Sequence, residues 1–205
     1  VRSLMTALPE VRDETIRLHA WQIYGLPNYL ANRRRLVLNR SNNCHFVERM
    51  LIVHGWTRFP RLSTTLLSWQ IKRLIHRQGR LKAIIYTLPQ YAAVAAKFVD
   101  CVQVYYAYDA YRFYDNWNSN LIVNLEKQLL SHCDIAFAVS KPLQEDLAKL
   151  TTTPVFYSPN AVSGSFISQM SLENCERPSK LRGLSGKIIG CVGQMSKSAY
   201  NWALI

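Results

Sequence analysis

Acidic side chains are scarce in this sequence: thirteen Asp and Glu face twenty-five Lys and Arg across 205 residues, a formal charge of +12. Long apolar runs are missing as well. None reaches the ~20 residues that a membrane-crossing helix needs, and the uncharged stretch 83–96 is interrupted by Pro89, so it reads as a buried strand and turn. Cysteine is limited to Cys44, Cys101, Cys133, Cys175 and Cys191. An odd, widely spaced set fits neither a disulfide framework nor a zinc site, and points to reduced, mostly buried thiols in a cytoplasmic setting. Glycine occurs only eight times. No G-x-G-x-x-G follows a first strand, no Walker A loop occurs, and no G-x-S-x-G elbow occurs, which argues against dinucleotide, P-loop and α/β-hydrolase chemistry. The five histidines lack metal-ligand spacing, and His54, beside Gly55, is the only one expected at a site-facing position. Internal repeats and low-complexity tracts are absent.

What is present is a globular chain. A hydrophobic content of 49% excludes a disordered tail, which could not bury enough surface to offset chain entropy. The length suits one domain or one domain with part of a second. Charge is unevenly placed: residues 1–100 hold 16 Lys/Arg and 5 Asp/Glu, an excess of +11, whereas 101–205 hold 9 and 8, an excess of +1. The tract 58–82 carries seven basic residues and no acid, and Arg33, Arg34 and Arg35 form a second cluster. Such one-sided charge concentrates anionic partners: lipid headgroups, nucleic-acid phosphates or phosphorylated acceptors. An ordinary solvated face explains it equally well. The chain opens at Val1 and closes inside an apolar run at Trp202–Ile205 without a helix stop, which reads as a piece of a longer protein.

Strands and helices alternate along the sequence. Strands are expected at 1–8, 35–39, 49–55, 82–88, 102–108, 134–140 and 154–160. Helices are expected at 13–24, where Ile16, Ala20 and Ile23 share a face, at 62–79, and near 90–98, 119–132 and 141–150. In the helix 62–79, Leu67, Ile71, Leu74 and Ile75 should face inward and Lys72, Arg73, His76 and Arg77 outward, with Gly79 as its stop. Several strands are nearly continuous apolar runs, as in a parallel sheet buried on both faces. The expected fold is therefore α/β, a doubly wound, mostly parallel Rossmann-like sheet over 1–160. The polar, Ser- and Gly-rich stretch 161–186 reads as a linker, and 187–205 as the start of a second, truncated domain.

Doubly wound sheets bind ligands at the C-terminal ends of their strands. The most unusual end is 105–117, with five tyrosines, two aspartates, an arginine and a tryptophan. Tyrosines there can stack on a ring while their hydroxyls hydrogen-bond, and Asp109 can accept from a ligand hydroxyl or act as a base. Packing tyrosines and a turn-capping Asp109 are an equal alternative. Ser140 reads foremost as a helix N-cap followed by Pro142, and otherwise as a contact for a phosphate or hydroxyl. Asn160 ends the last strand. Glu10, Arg12, Asp13 and Glu14 occupy the first strand–helix loop, where a ligand could sit at the N-terminus of the following helix; for Asp13 and Glu14 the foremost reading is that they complement that helix's dipole.

From residue 100 onward the chain resembles the N-terminal domain of GT-B-fold glycosyltransferases of the group-1/family-4 kind. VYYAYDAYRFY (104–114) is similar to the family's strand and aspartate-containing loop. In 124–147, Glu126, Leu129, Leu130, Asp134, Ser140 and Leu143 keep the register of a family stretch. VFYSPNAV (155–162) is similar to the segment closing that domain, and KIIGCVGQMS (187–196) to the first strand of the next. Ala161 and Ser163 depart from the usual Gly and Asp, and residues 1–100 agree only in the order of elements.

The resemblance implies sugar transfer from a nucleotide-sugar donor to a glycan or lipid-linked acceptor. No metal or other cofactor is expected, because such enzymes stabilise the leaving diphosphate with basic side chains and helix dipoles. The donor-binding machinery would belong to the domain cut short here, so the fragment alone should be inactive. Asp109 is the implied catalytic residue, with Tyr108 and Tyr111 beside it and Arg12, Ser140 and Asn160 as further substrate contacts. The basic region 33–82 would then face anionic membrane, giving a cytoplasmic protein peripheral at the inner face of the cell membrane. A non-catalytic α/β module binding glycans or phosphorylated ligands is the alternative. Nucleic acid ranks below both, since the aromatic run and the basic clusters lie apart in sequence.

Overall fold

A computed structural model describes residues 18–25, 45–52, 59–79, 81–114 and 117–162, with single positions at 167, 179, 183 and 185. The chain divides into two units, Val1–Asn160 and Ala161–Ile205, and every strand and helix below belongs to the first. The expected strands 1–8, 35–39 and 187–196 lie outside the described residues, as does most of the expected linker.

The first unit is α/β, and every strand pair among the described residues is parallel. Strands β1 (Leu18–Gly25) and β2 (His45–Ile52) pair along their whole length, from Leu18 opposite His45 to Gly25 opposite Ile52. The expected helix at 13–24 is thus corrected to a strand beginning at Leu18. Its helical signal rested on three residues, whereas Trp21, Ile23 and Tyr24 favour a pleated surface and an eight-residue ladder rewards that choice.

Helix α1 (Pro60–Gln78) follows, with Pro60 in its first turn, where no intrahelical N–H is needed. Leu67 and Ile71 are buried against Met50 of β2, and Leu74 and Ile75 are partly buried beside them. Lys72, Arg73, His76 and Arg77 are exposed, as the periodicity requires. Gly79 stops the helix at φ 102°, donating its N–H to the Ile75 carbonyl at 2.9 Å.

The second sheet has the order β3-β4-β5-β6: Ala83–Tyr86, Val102–Ala107, Ile135–Ala138 and Val155–Tyr157. Its connections are a short turn and helix α2 (Ala92–Ala95), helix α3 (Ser119–Leu130) and helix α4 (Lys141–Ala148). Asn118 and Ser140 cap α3 and α4 by accepting the N–H of Leu121 at 3.0 Å and of Leu143 at 3.3 Å. These elements match the sequence expectations to within a few residues, the usual scatter at element ends.

Two features differ from a single sheet buried on both faces. First, β2 and β3 do not pair; the side chain of Gln70 occupies the edge of β2 instead. Its Oε1 accepts the Leu51 N–H at 2.9 Å and its Nε2 donates to the Leu51 carbonyl at 2.7 Å, the positions a further strand would use. Second, burial alternates along β3, β4 and β5. Ile84, Tyr86, Tyr105, Ala107, Ala136 and Ala138 form one face and share a core with Ala92, Val94, Leu129, Leu130, Leu143 and Leu147 of the crossover helices. Strands added in sequential order with right-handed crossovers place all those helices on one side. Among residues of the opposite face, Ile85, Val102 and Phe156 are exposed. Continuous apolar sequence therefore overstated burial.

Polar groups at the starts of the strands complete the ladder. Asp134 accepts the Gln103 N–H through its carboxylate at 2.7 Å, and the buried Tyr86 hydroxyl donates to Gln103 Oε1 at 2.9 Å. Cys101 and Cys133 are free thiols, and burial pushes the Cys133 thiol up to about 12, which keeps it protonated and unreactive.

Candidate functional site

Strand β4 ends at Ala107, paired with Ala138 of β5. Beyond it the chain leaves the sheet as a loop and a tight turn at Tyr111–Phe113. That turn is held by a buried aromatic ring. Tyr111 stacks on Trp117 (centroids 5.5 Å apart, 15° between planes) and meets Tyr108 and Tyr114 edge-on at 5.5 and 5.7 Å. Its hydroxyl donates to the Thr87 carbonyl beyond β3 at 2.7 Å, so the loops after β3 and β4 are tied together. Burial raises the Tyr111 phenol well above its ordinary range.

Asp109 sits on this platform, half-buried. The Ala110 N–H donates to its Oδ1 at 2.8 Å, and the exposed Tyr114 hydroxyl donates to its Oδ2. That second bond, with some burial, pushes the Tyr114 phenol up to about 12. Each carboxylate oxygen has two acceptor directions, so Asp109 retains capacity toward a ligand. Tyr108 is at the edge of exposure, Tyr114 is exposed and Trp117 is half-buried, giving a carboxylate framed by aromatic edges and faces at the C-terminal end of a parallel sheet.

The loop is anchored from behind. Arg112 donates to Asp146 of α4 at 2.7 Å, and Lys149 reaches the other carboxylate oxygen at 3.3 Å. Arg112 also lies over the Phe113 ring, 5.3 Å from its centroid. Beneath the loop, Glu126 of α3 is buried and accepts from the Tyr105 hydroxyl at 3.2 Å. Burial holds its carboxyl above the ordinary carboxylate range, against the pull of the Tyr105 hydrogen bond and the Arg112 charge.

The seven residues singled out from sequence are thus distributed unequally. Asp109, Tyr108 and Tyr111 come together, but the Tyr111 hydroxyl is engaged by Thr87, leaving that residue to position its neighbours. Ser140 stands at the adjoining strand end with its hydroxyl capping α4. Asn160 is exposed two residues beyond Ser158, whose N–H donates to Ala138; among the described residues no hydrogen bond links it to Asp109 or Ser140. Arg12 and His54 lie outside the described residues. Sequence reading passed over Tyr114 and Trp117 within the aromatic run, and missed the Arg112–Asp146 and Tyr105–Glu126 pairs. The alternation of β4 could have marked Tyr105 as inward-facing; partners 21 and 34 residues away leave no sequence signal.

Among the described residues, no group of three His, Cys, Asp or Glu is placed to hold a metal ion. Two open depressions, of about 530 and 570 Å³, lie at the other end of the strands, lined in part by Lys82, Asp100 and Asp134 and by Lys127, Lys149 and Thr151. Neither adjoins Asp109. No family model matches this chain, and neither do any curated proteins or solved structures.

Proposed function

We propose that this chain is the acceptor-side part of a GT-B-type glycosyltransferase, whose sugar comes from a nucleotide-sugar held by a further domain. One observation carries the reading: a half-buried carboxylate, Asp109, framed by Tyr108, Tyr114 and Trp117 at the C-terminal end of a parallel sheet. Sugars present hydroxyls at their rims and apolar C–H faces, and this combination of acceptor oxygen and aromatic surface suits both. The resemblance over 104–162 points to the same loop.

In this reading an acceptor hydroxyl donates to Asp109, while Tyr108 and Trp117 limit how the ring lies. The Tyr114 hydroxyl and the Ala110 N–H fix the carboxylate rotamer, and Tyr111 holds the platform through Thr87. Positioning of this kind converts a bimolecular encounter into an oriented one. Ser140 and Asn160 would border the same cleft, and Arg12 would reach it from the first loop.

The natural full-length protein should release nucleoside diphosphate from one member of a nucleotide-sugar panel, and faster with acceptor. Asp109→Ala should lower turnover about 100-fold or more, the range for losing an acid–base group. Full turnover in that variant would remove Asp109 from the chemistry. Glycan binding without release from any nucleotide-sugar would replace the proposal with a binding module.

A further inference from the structure

Among the described residues, Asp109 has no cationic partner. It is half-buried, and the donors that reach it, the Ala110 N–H and the Tyr114 hydroxyl, are neutral. The ion pairs of the described residues both go to Asp146 instead. Arg112 is the only Lys, Arg or His between Lys97 and Lys127, and its guanidinium is taken up by Asp146 and the Phe113 ring. The chain as a whole carries a charge of +12. An unpaired negative charge in this loop is therefore a local feature and not a consequence of composition.

The rings around that carboxylate differ in direction. Tyr108 stands at 86° to Tyr111, and Tyr114 lies at 65° to Tyr111 and 61° to Trp117, with centroids 5.5, 5.7 and 5.7 Å apart. Tyr108 is 36% exposed and Tyr114 41%, so this wall is open to a ligand and not closed by packing. Aromatic faces carry negative potential and attract cations, and several rings set at steep angles to one another form the cages that hold alkylammonium groups. Asp109 adds what rings lack, a formal charge and directional acceptors. Its Oδ1 and Oδ2 each accept one hydrogen bond and each retain a further acceptor direction.

We infer that this site recognises a protonated primary amine and, resting on the sugar-transfer reading above, that the acceptor is an amino sugar with its amine free. The ammonium donates to one oxygen of Asp109 and a neighbouring sugar hydroxyl to the other, while Tyr108, Tyr114 and Trp117 border the charge. A quaternary ammonium has no N–H and leaves the acceptor directions of the carboxylate unfilled. Neutral and N-acetylated sugars satisfy hydrogen bonds but leave Asp109 without a counter-charge in a half-buried site. The charge-assisted bond and the ring faces together favour the free amine.

The test is isothermal titration of the natural full-length protein with glucosamine, N-acetylglucosamine, glucose and tetramethylammonium. Glucosamine should bind about tenfold more tightly than the other three, and less tightly at ~0.5 M salt. Asp109→Asn, alike in shape but uncharged, should bring glucosamine to within about twofold of glucose, and Tyr108→Leu should cut the preference about threefold. Absence of glucosamine binding, equal binding of glucosamine and glucose, a preference that survives Asp109→Asn, or tighter binding of tetramethylammonium would each overturn the inference. Titration needs no nucleotide-sugar, so the two readings fail separately. Amine preference without release of nucleoside diphosphate would remove the transferase and keep the amine site. Release stimulated by neutral acceptors alone would remove the amine preference and keep the transferase.

Discussion

Glu126 carries a buried carboxyl that accepts from the Tyr105 hydroxyl in the core. An unfolded Glu titrates near ~4.3, while burial keeps the folded group protonated to higher pH. Below the unfolded value both states hold the proton, and the contribution of this site to stability is fully present. Between the two values folding takes up a proton, so stability falls as pH rises, and the contribution is lost once pH passes the folded value. Glu126→Gln keeps an oxygen for Tyr105 and has no proton to lose. In urea denaturation from about pH 4 to 8, wild-type stability relative to the variant should fall with pH; a constant difference would show that the carboxyl titrates alike in both states. Asp109 illustrates the other side of residue-scale reasoning. Its place in a tyrosine-rich strand end was legible in the sequence, but the Tyr114 bond and the Thr87 anchor of Tyr111 were not. Both depend on how the loop turns back on itself.

Among the elements, α1 was the most legible, because nineteen residues of periodicity specify both its faces and Gly79 marks its end. Strand β1 was the least, since eight residues with mixed spacing take their state from the neighbour they pair with. Gln70 links the two cases, as a helix residue that finishes the edge of a strand. Gln70→Ala removes both bonds to Leu51 and leaves an open edge. The expected cost is about 1–3 kcal/mol, the range for unsatisfied backbone groups, together with concentration-dependent association through that edge. Denaturant titration and light scattering check the two parts. A change under about 0.5 kcal/mol, typical of surface substitutions, would show that water satisfies Leu51 equally well.

At the scale of the molecule, the asymmetry of the four-stranded sheet decides where stability resides. Leu147 is fully buried on the helix-covered face, and Phe156, in β6, is half exposed beside Phe137 on the other. Leu147→Ala should cost about 2–5 kcal/mol, whereas Phe156→Ser should cost less than about 1 kcal/mol, both read from denaturation midpoints. Equal costs would mean that the second face is packed as tightly as the first. The α/β class, the parallel pairing, the order of elements from α1 to β6 and the concentration of basic charge on the first half follow from the sequence by itself, because periodicity, caps and composition act over a few residues at a time. Only the tertiary structure decided that β1 is a strand, that β2 and β3 stay unpaired, that one sheet face stays partly open, and that Asp109 meets Tyr114 above a Tyr111–Trp117 stack. Each of these is set by contacts between segments distant in sequence or by the path of a loop, where local preference is weak and packing makes the choice.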